Sequence, residues 1–156
     1  MNLEEKVHKY LENCYRFLTI RNRSEKEIRD YLLKKKAELE IIEVIVERLR
    51  KQKLLNDHTF ARAWVLSRAR LKPKGKQLLK IELQQKGIAK EIIESVLREM
   101  NEELPDEVTQ AKKIIAKRME KLQGTPKMEI YQKVGSFLAR RGFKWEVIKK
   151  AIDSYL

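Results

Sequence analysis

Between Asp57 and Lys90 nine basic side chains face two acids, Asp57 and Glu82, leaving an excess of seven positive charges on about a fifth of the chain. The densest stretch reads RARLKPKGK over 68–76, where Arg68, Arg70, Lys72, Lys74 and Lys76 alternate with other residues. Arginine offers a planar fork of donors that matches phosphate or carboxylate oxygens, and lysine a mobile point charge. Such a run can hold several anionic oxygens at once. Arg140, Arg141 and Lys144 form a second group, with Lys149 and Lys150 beyond, and Arg16, Arg21, Arg23 and Arg29 form a third. Taken singly, each reads as a solvated helix end. Taken together, the middle run reads as a binding element for a polyanion. Its candidate contacts are Arg62, Arg68, Arg70, Lys72, Lys74 and Lys76, with help from Arg140 and Arg141.

The inventory argues against catalysis. Two histidines, His8 and His58, and one cysteine cannot build a structural zinc site. PKGKQ (73–77) suggests a phosphate loop only superficially: no glycine lies five positions before Gly75, and no Ser or Thr follows Lys76. Asp57-His58 lacks a nucleophile and reads as a helix N-cap beside an exposed histidine. The expectation is a protein without enzymatic activity, metal or cofactor.

What must position the cations is helical. Lys, Glu, Leu and Arg dominate, Gly and Pro number 5 and 3, and the net charge is +13. LQQKGIAKEIIESVL (83–97) and LARRGFKWEVIKKAI (138–152) are the same phrase: an apolar anchor, a basic run, a glycine, then apolar residues at helical spacing. The period extends backwards. Leu83, Ile92, Ile93, Val96, Leu97 and Met100 correspond to Leu32, Ile41, Ile42, Ile45, Val46 and Leu49, and forwards to Leu138, Val147, Ile148, Ala151, Ile152 and Tyr155. A repeat of about fifty residues is the length of three helices. The fold class expected is all-α, three tandem three-helix repeats over 1–55, 56–104 and 105–156 forming an elongated curved array.

Helices are expected at about 3–18, 24–36, 39–52, 57–70, 75–86, 89–101, 106–121, 126–141 and 144–155. Ser24 through Glu27 is a capping box, Asn56 or Asp57 an N-cap, and Thr125-Pro126 a cap followed by a first-turn proline. Gly87-Ile88 and Gly142-Phe143 mark left-handed helix ends, and Lys36-Ala37 fills that place without glycine at a cost of about 1 kcal/mol. Leu54, Leu55 and Phe60 are expected to be buried at the first junction. Pro105 is expected to end a helix at the second, so that the third repeat moves as a body and proteolysis begins near 101–106. Cys14 reads as a buried inert thiol in a reducing compartment, the cytoplasm, and no stretch is apolar enough for a membrane span.

Three-helix units with a sharp turn can read a DNA groove, yet the third helices carry acids, Glu40, Glu43, Glu91 and Glu94, where base-contacting donors are wanted. That favours attraction to a backbone over sequence readout. RNRSEKEIRDYL (21–32), LLNDHTFARAWVLSRARLKPKGKQLLKIELQQKGI (54–88) and FLARRGF (137–143) resemble the RecX family, bacterial regulators of the RecA recombinase. The middle stretch is the specific one. The resemblance implies a protein that binds the RecA filament, with single- and double-stranded DNA, and restrains its ATPase, strand exchange and growth; a monomer suits the elongated repeat. The alternative is a general basic DNA-binding protein acting by competition for DNA. Charge reversal of Arg68 and Arg70 is expected to abolish inhibition and leave the helical fold intact.

Overall fold

Apolar residues at helical spacing, bracketed by caps and left-handed turns, produce nine helices and no strand in the computed structural model, which describes all 156 residues. In chain order they are α1 (Leu3–Ile20), α2 (Glu25–Lys34), α3 (Leu39–Lys51), α4 (Asp57–Leu71), α5 (Lys76–Gln85), α6 (Lys90–Glu99), α7 (Glu107–Lys121), α8 (Lys127–Arg140) and α9 (Trp145–Asp153). Of the eighteen apolar positions that define the repeat, Tyr155 alone is exposed, and its hydroxyl donates to the Lys112 carbonyl at 2.8 Å.

The turn after the second helix of each repeat has one geometry. Ala37, Ile88 and Phe143 each donate their backbone N–H back to Leu32, Leu83 and Leu138, at 3.0, 3.0 and 3.2 Å, and each is buried. The preceding residue is left-handed: Lys36 with φ 63, Gly87 with φ 78 and Gly142 with φ 89. This six-to-one closure satisfies carbonyls the helix end would otherwise leave open, and glycine adopts it without a Cβ clash. Lys36 does not. Lys36→Gly is therefore expected to stabilise the fold by about 0.5–1 kcal/mol, the relieved strain less the added freedom of the unfolded chain. Cys14 supplies the readout: it is fully buried, and burial pushes its thiol up to about 11, Lys35 offsetting only part of this. Alkylation of Cys14 should await unfolding and become slower in the Lys36→Gly variant; an equal or faster rate would remove strain at Lys36 from the account.

The chain packs as two compact units, Met1–Ala61 with Leu83–Ile93 and Arg62–Glu82 with Glu94–Leu156. They do not follow the three-helix segments, because α4, α5 and α6 each contribute one end to either unit. Residues 101–106 consequently lie inside the second unit, which gives no support to a third segment moving as a body. In the first unit, Val7, Leu11 and Cys14 of α1 pack with Ile28 and Leu32 of α2 and the buried face of α3. In the second, Ala111, Ile115 and Met119 of α7 meet Val134 and Leu138 of α8 and Ile148 and Ile152 of α9.

Both units contain the same joint. Asp57, the first residue of α4, accepts the Glu25 N–H at the start of α2 (2.9 Å). Glu107, the first residue of α7, accepts the Lys76 N–H at the start of α5 (3.2 Å). An acid opening one segment thus caps the second helix of the segment before it, where an orphan N–H and the helix dipole favour negative charge. Asp57 therefore caps another helix, while Asn56 caps α4 by accepting the Thr59 N–H at 3.1 Å. Burial raises the Asp57 carboxyl, and the hydrogen bond from Glu25 only partly counters it.

Other expectations are confirmed or corrected locally. Ser24 is fully buried and its capping box with Glu27 is complete. Leu55 and Phe60 are buried at 4 % exposure, but Leu54 is 46 % exposed because it follows Lys53, a further left-handed residue that closes α3. Pro126, not Thr125, holds the N-cap position of α8, where a missing N–H leaves nothing unpaired. α6 ends at Glu99, well before Pro105.

Candidate polyanion-binding surface

The basic run occupies the last turn of α4, the loop 72–75 and the start of α5, all in the second unit. Arg68 and Arg70 in the last turn of α4 favour the negative end of its dipole. Pro73 cannot extend the helix, and the chain turns at once into α5. What fixes the loop is backbone: the Gly75 N–H donates to the Arg141 carbonyl at 2.7 Å. A Cβ at Gly75 would run into the Gly142 peptide, and one at Gly142 would lie 2.7 Å from the Leu78 nitrogen. Two glycines thus allow the α4–α5 loop and the α8–α9 turn to touch main chain to main chain. Arg141 adds a hydrogen bond from Nη1 to the Pro73 carbonyl at 3.4 Å. The basic run and the Arg140–Lys144 cluster, distant in sequence, abut.

Within that surface the eight sequence-derived candidates separate into two sets. Arg70, Lys72 and Arg140 are exposed. Lys80 and Lys144 are exposed as well. Arg62 is bound by Glu103 at 2.5 Å and by Glu99 at 3.7 Å. Arg68 lies 4.4 Å above the Trp64 ring, with its Nε 3.5 Å from Glu82. Lys74 pairs with the other Glu82 oxygen at 2.7 Å. Lys76 donates to Asn101 at 2.9 Å, and Arg141, besides holding Pro73, covers the Phe137 ring at 5.1 Å. These five cations are engaged in holding the unit together. Reversing Arg68 would set a second carboxylate against Glu82, so that variant is expected to lose stability as well as charge.

The third cluster lies in the first unit and is engaged similarly. Arg29 binds Glu43 at 2.5 Å, Arg21 binds Glu27, and Arg23 covers the Phe17 ring at 3.7 Å. Burial raises the Glu27 carboxyl, but Arg21, the Ser24 N–H and Lys86 outweigh it and hold it below the usual carboxylate range. Its contribution to stability is therefore complete above the ordinary carboxylate pKa and fades as pH falls through its lowered value. What the sequence reading missed is Glu82. Its one available signal was being the only acid within the basic run after Asp57. No helix is long and apolar enough to cross a membrane.

Fold and surface together define a helical-repeat protein of nine helices in three tandem three-helix segments, with basic segments from two of them brought side by side. Family models of the first, second and third three-helix domains of RecX match residues 11–49, 56–97 and 105–152. The chain belongs to the RecX family of regulatory proteins. The regulatory protein RecX of Prosthecochloris aestuarii is 35% identical over 150 residues, covering 96% of this chain and 95% of that one. The RecX of Bacillus pumilus is 35% identical over 147 residues, but this chain spans only 55% of its length. The crystal structure of RecX from Lactobacillus salivarius has the same fold, with a TM-score of 0.86 at 21% identity over 97% of both chains. A second crystal structure of a regulatory protein RecX gives 0.81 at 25% identity over 97% of this chain and 73% of the other.

Proposed function

We propose that this chain binds the filament of the RecA recombinase on DNA and restrains it, lowering ATP turnover, strand exchange and filament growth. Membership of a regulatory family supports the role. The observation that supports the binding mode is the backbone joint at Gly75 and Gly142, where the loop that follows Arg70 meets the turn that follows Arg140; Arg70, Lys72 and Arg140 are all exposed. A filament on DNA offers phosphate and acidic protein surface close together, and a rigid basic surface can engage both without catalytic groups. Recognition through phosphate needs no base readout, in keeping with the acids on the third helices. The protein acts as a monomer in this reading.

The test is titration of the chain against preformed RecA filaments while ATP consumption is followed. The expected result is inhibition that saturates; an unchanged rate with the chain in excess would overturn the proposal. Competition for DNA alone is separated by mixing the chain with the recombinase and no DNA, where retention of the recombinase supports a direct contact. The DNA contribution is read from salt: with about five phosphates neutralised, affinity should fall by two to three decades between about 50 and 200 mM.

A further inference from the structure

Glu82 is a carboxylate placed where the basic run would otherwise present most of its charge. It lies on α5 with its side chain 14 % exposed, and it gathers donors from both sides of the loop. Lys74 Nζ reaches one oxygen at 2.7 Å, and Trp64 Nε1 the other at 3.4 Å. Arg68 Nε stands 3.5 Å from that second oxygen. This Nε is buried and has no hydrogen-bond partner, so charge and the Trp64 face hold the guanidinium in place. Two cations therefore share one carboxylate, each less than a third exposed. Two forked anionic oxygens taking a lysine, an arginine and an N–H donor are also what a phosphodiester presents to such a site.

We propose that Glu82 is an internal substitute for phosphate: by occupying Lys74 and Arg68 it restricts DNA backbone contact to Arg70, Lys72, Arg140 and the other exposed cations. This rests on the DNA contact in the function proposed above. Salt dependence counts the phosphates a protein newly neutralises. A lysine already held at 2.7 Å by a carboxylate exchanges one anionic partner for another on meeting DNA, and the count does not rise. Glu82 acts through these side chains and is a positioning residue. It keeps the loop ordered and limits binding strength in the same contact, so that a chain of net charge +13 grips a polyanion less tightly than its composition suggests.

The test measures affinity for a fluorescent oligothymidylate across about 50–200 mM salt. Four full-length proteins are compared: wild type, Lys72→Gln, Lys74→Gln and Glu82→Gln. Each phosphate contact on a single strand contributes about 0.7 to the magnitude of the logarithmic salt slope. Lys72→Gln should reduce the slope by about that amount, and Lys74→Gln should leave it unchanged. Glu82→Gln keeps an acceptor for Trp64 but releases the cations. It should steepen the slope by about 0.7–1.4 and tighten binding roughly threefold or more at low salt.

A purely structural Glu82 would weaken binding and leave the slope flat or lower. That result, in a Glu82→Gln protein of wild-type helicity, overturns the proposal. So does a Lys74→Gln slope matching that of Lys72→Gln, a comparison that decides the matter even if Glu82→Gln fails to fold. Wild-type protein that ignores the oligonucleotide at every salt concentration would remove the DNA contact itself, and this proposal with it. Binding with an unaltered pattern of slopes would remove only this one.

Discussion

Gly142→Ala is expected to destabilise the second unit by about 2–5 kcal/mol and to eliminate filament inhibition. Two costs combine. The residue has φ 89, and a left-handed conformation costs a residue with a Cβ about 1–2 kcal/mol. The new methyl would also lie 2.7 Å from the Leu78 nitrogen and 3.0 Å from its Cα, and overpacking of this kind costs about 1–3 kcal/mol. Gly124→Ala is the natural control. Its φ is 83, but no atom lies within 4 Å of the added Cβ, so it incurs the backbone cost alone. Thermal unfolding should show a loss for Gly142→Ala about twice that for Gly124→Ala. Only the former should lose inhibition, because only it forces the α8–α9 turn away from α5 and the loop before it. Equal losses would mean that the close approach of Gly142 to Leu78 adds nothing.

The largest effect without loss of fold is expected from reversing the exposed cations together, Arg70→Glu with Lys72→Glu and Arg140→Glu. None of the three has a structural contact comparable to those of Arg68 or Arg141, so circular dichroism and the unfolding midpoint should remain near wild type. Three lost phosphate contacts reduce the salt slope on duplex DNA by about 2.7, and three new repulsions add to that. Affinity for DNA should fall by at least about two decades at low salt, and ATP turnover by the filament should proceed uninhibited. The contrasting variant is Arg68→Glu. It leaves Lys74 facing two carboxylates and removes Arg68 from the Trp64 face, and breaking such a poorly exposed pair costs about 3 kcal/mol. Its loss of inhibition should accompany loss of helicity or of midpoint. Undiminished inhibition by the triple variant would remove this surface from the mechanism.

The two variants mark the boundary between charge and available charge. By formal count the run from Asp57 to Lys90 carries an excess of seven positive charges, and RARLKPKGK is its densest stretch. In the fold, Arg62, Arg68 and Lys74 each have an acidic partner, and Glu82, Glu99 and Glu103 supply it. Pairing of this kind is set by side chains that meet across helices, such as Arg62 and Glu103. No local spacing rule reaches that far.

Local order was legible because its causes are local. Apolar residues at helical period gave the positions of nine helices, Ser24 and Glu27 gave a capping box, and Gly87 and Gly142 gave two turns whose hydrogen bonds close within six residues. Lys36 was legible for the same reason, as a residue forced into its neighbours' turn without their freedom. Tertiary structure decided which helix each acid caps, so that Asp57 serves α2 and Glu107 serves α5. It decided that Leu54 faces solvent, and that Gly75 meets Arg141 through the main chain. It also decided which cations remain open to a ligand. Helix and turn depend on φ, ψ and contacts a few residues away, whereas charge availability depends on which carboxylate the packed helices bring within about 4 Å.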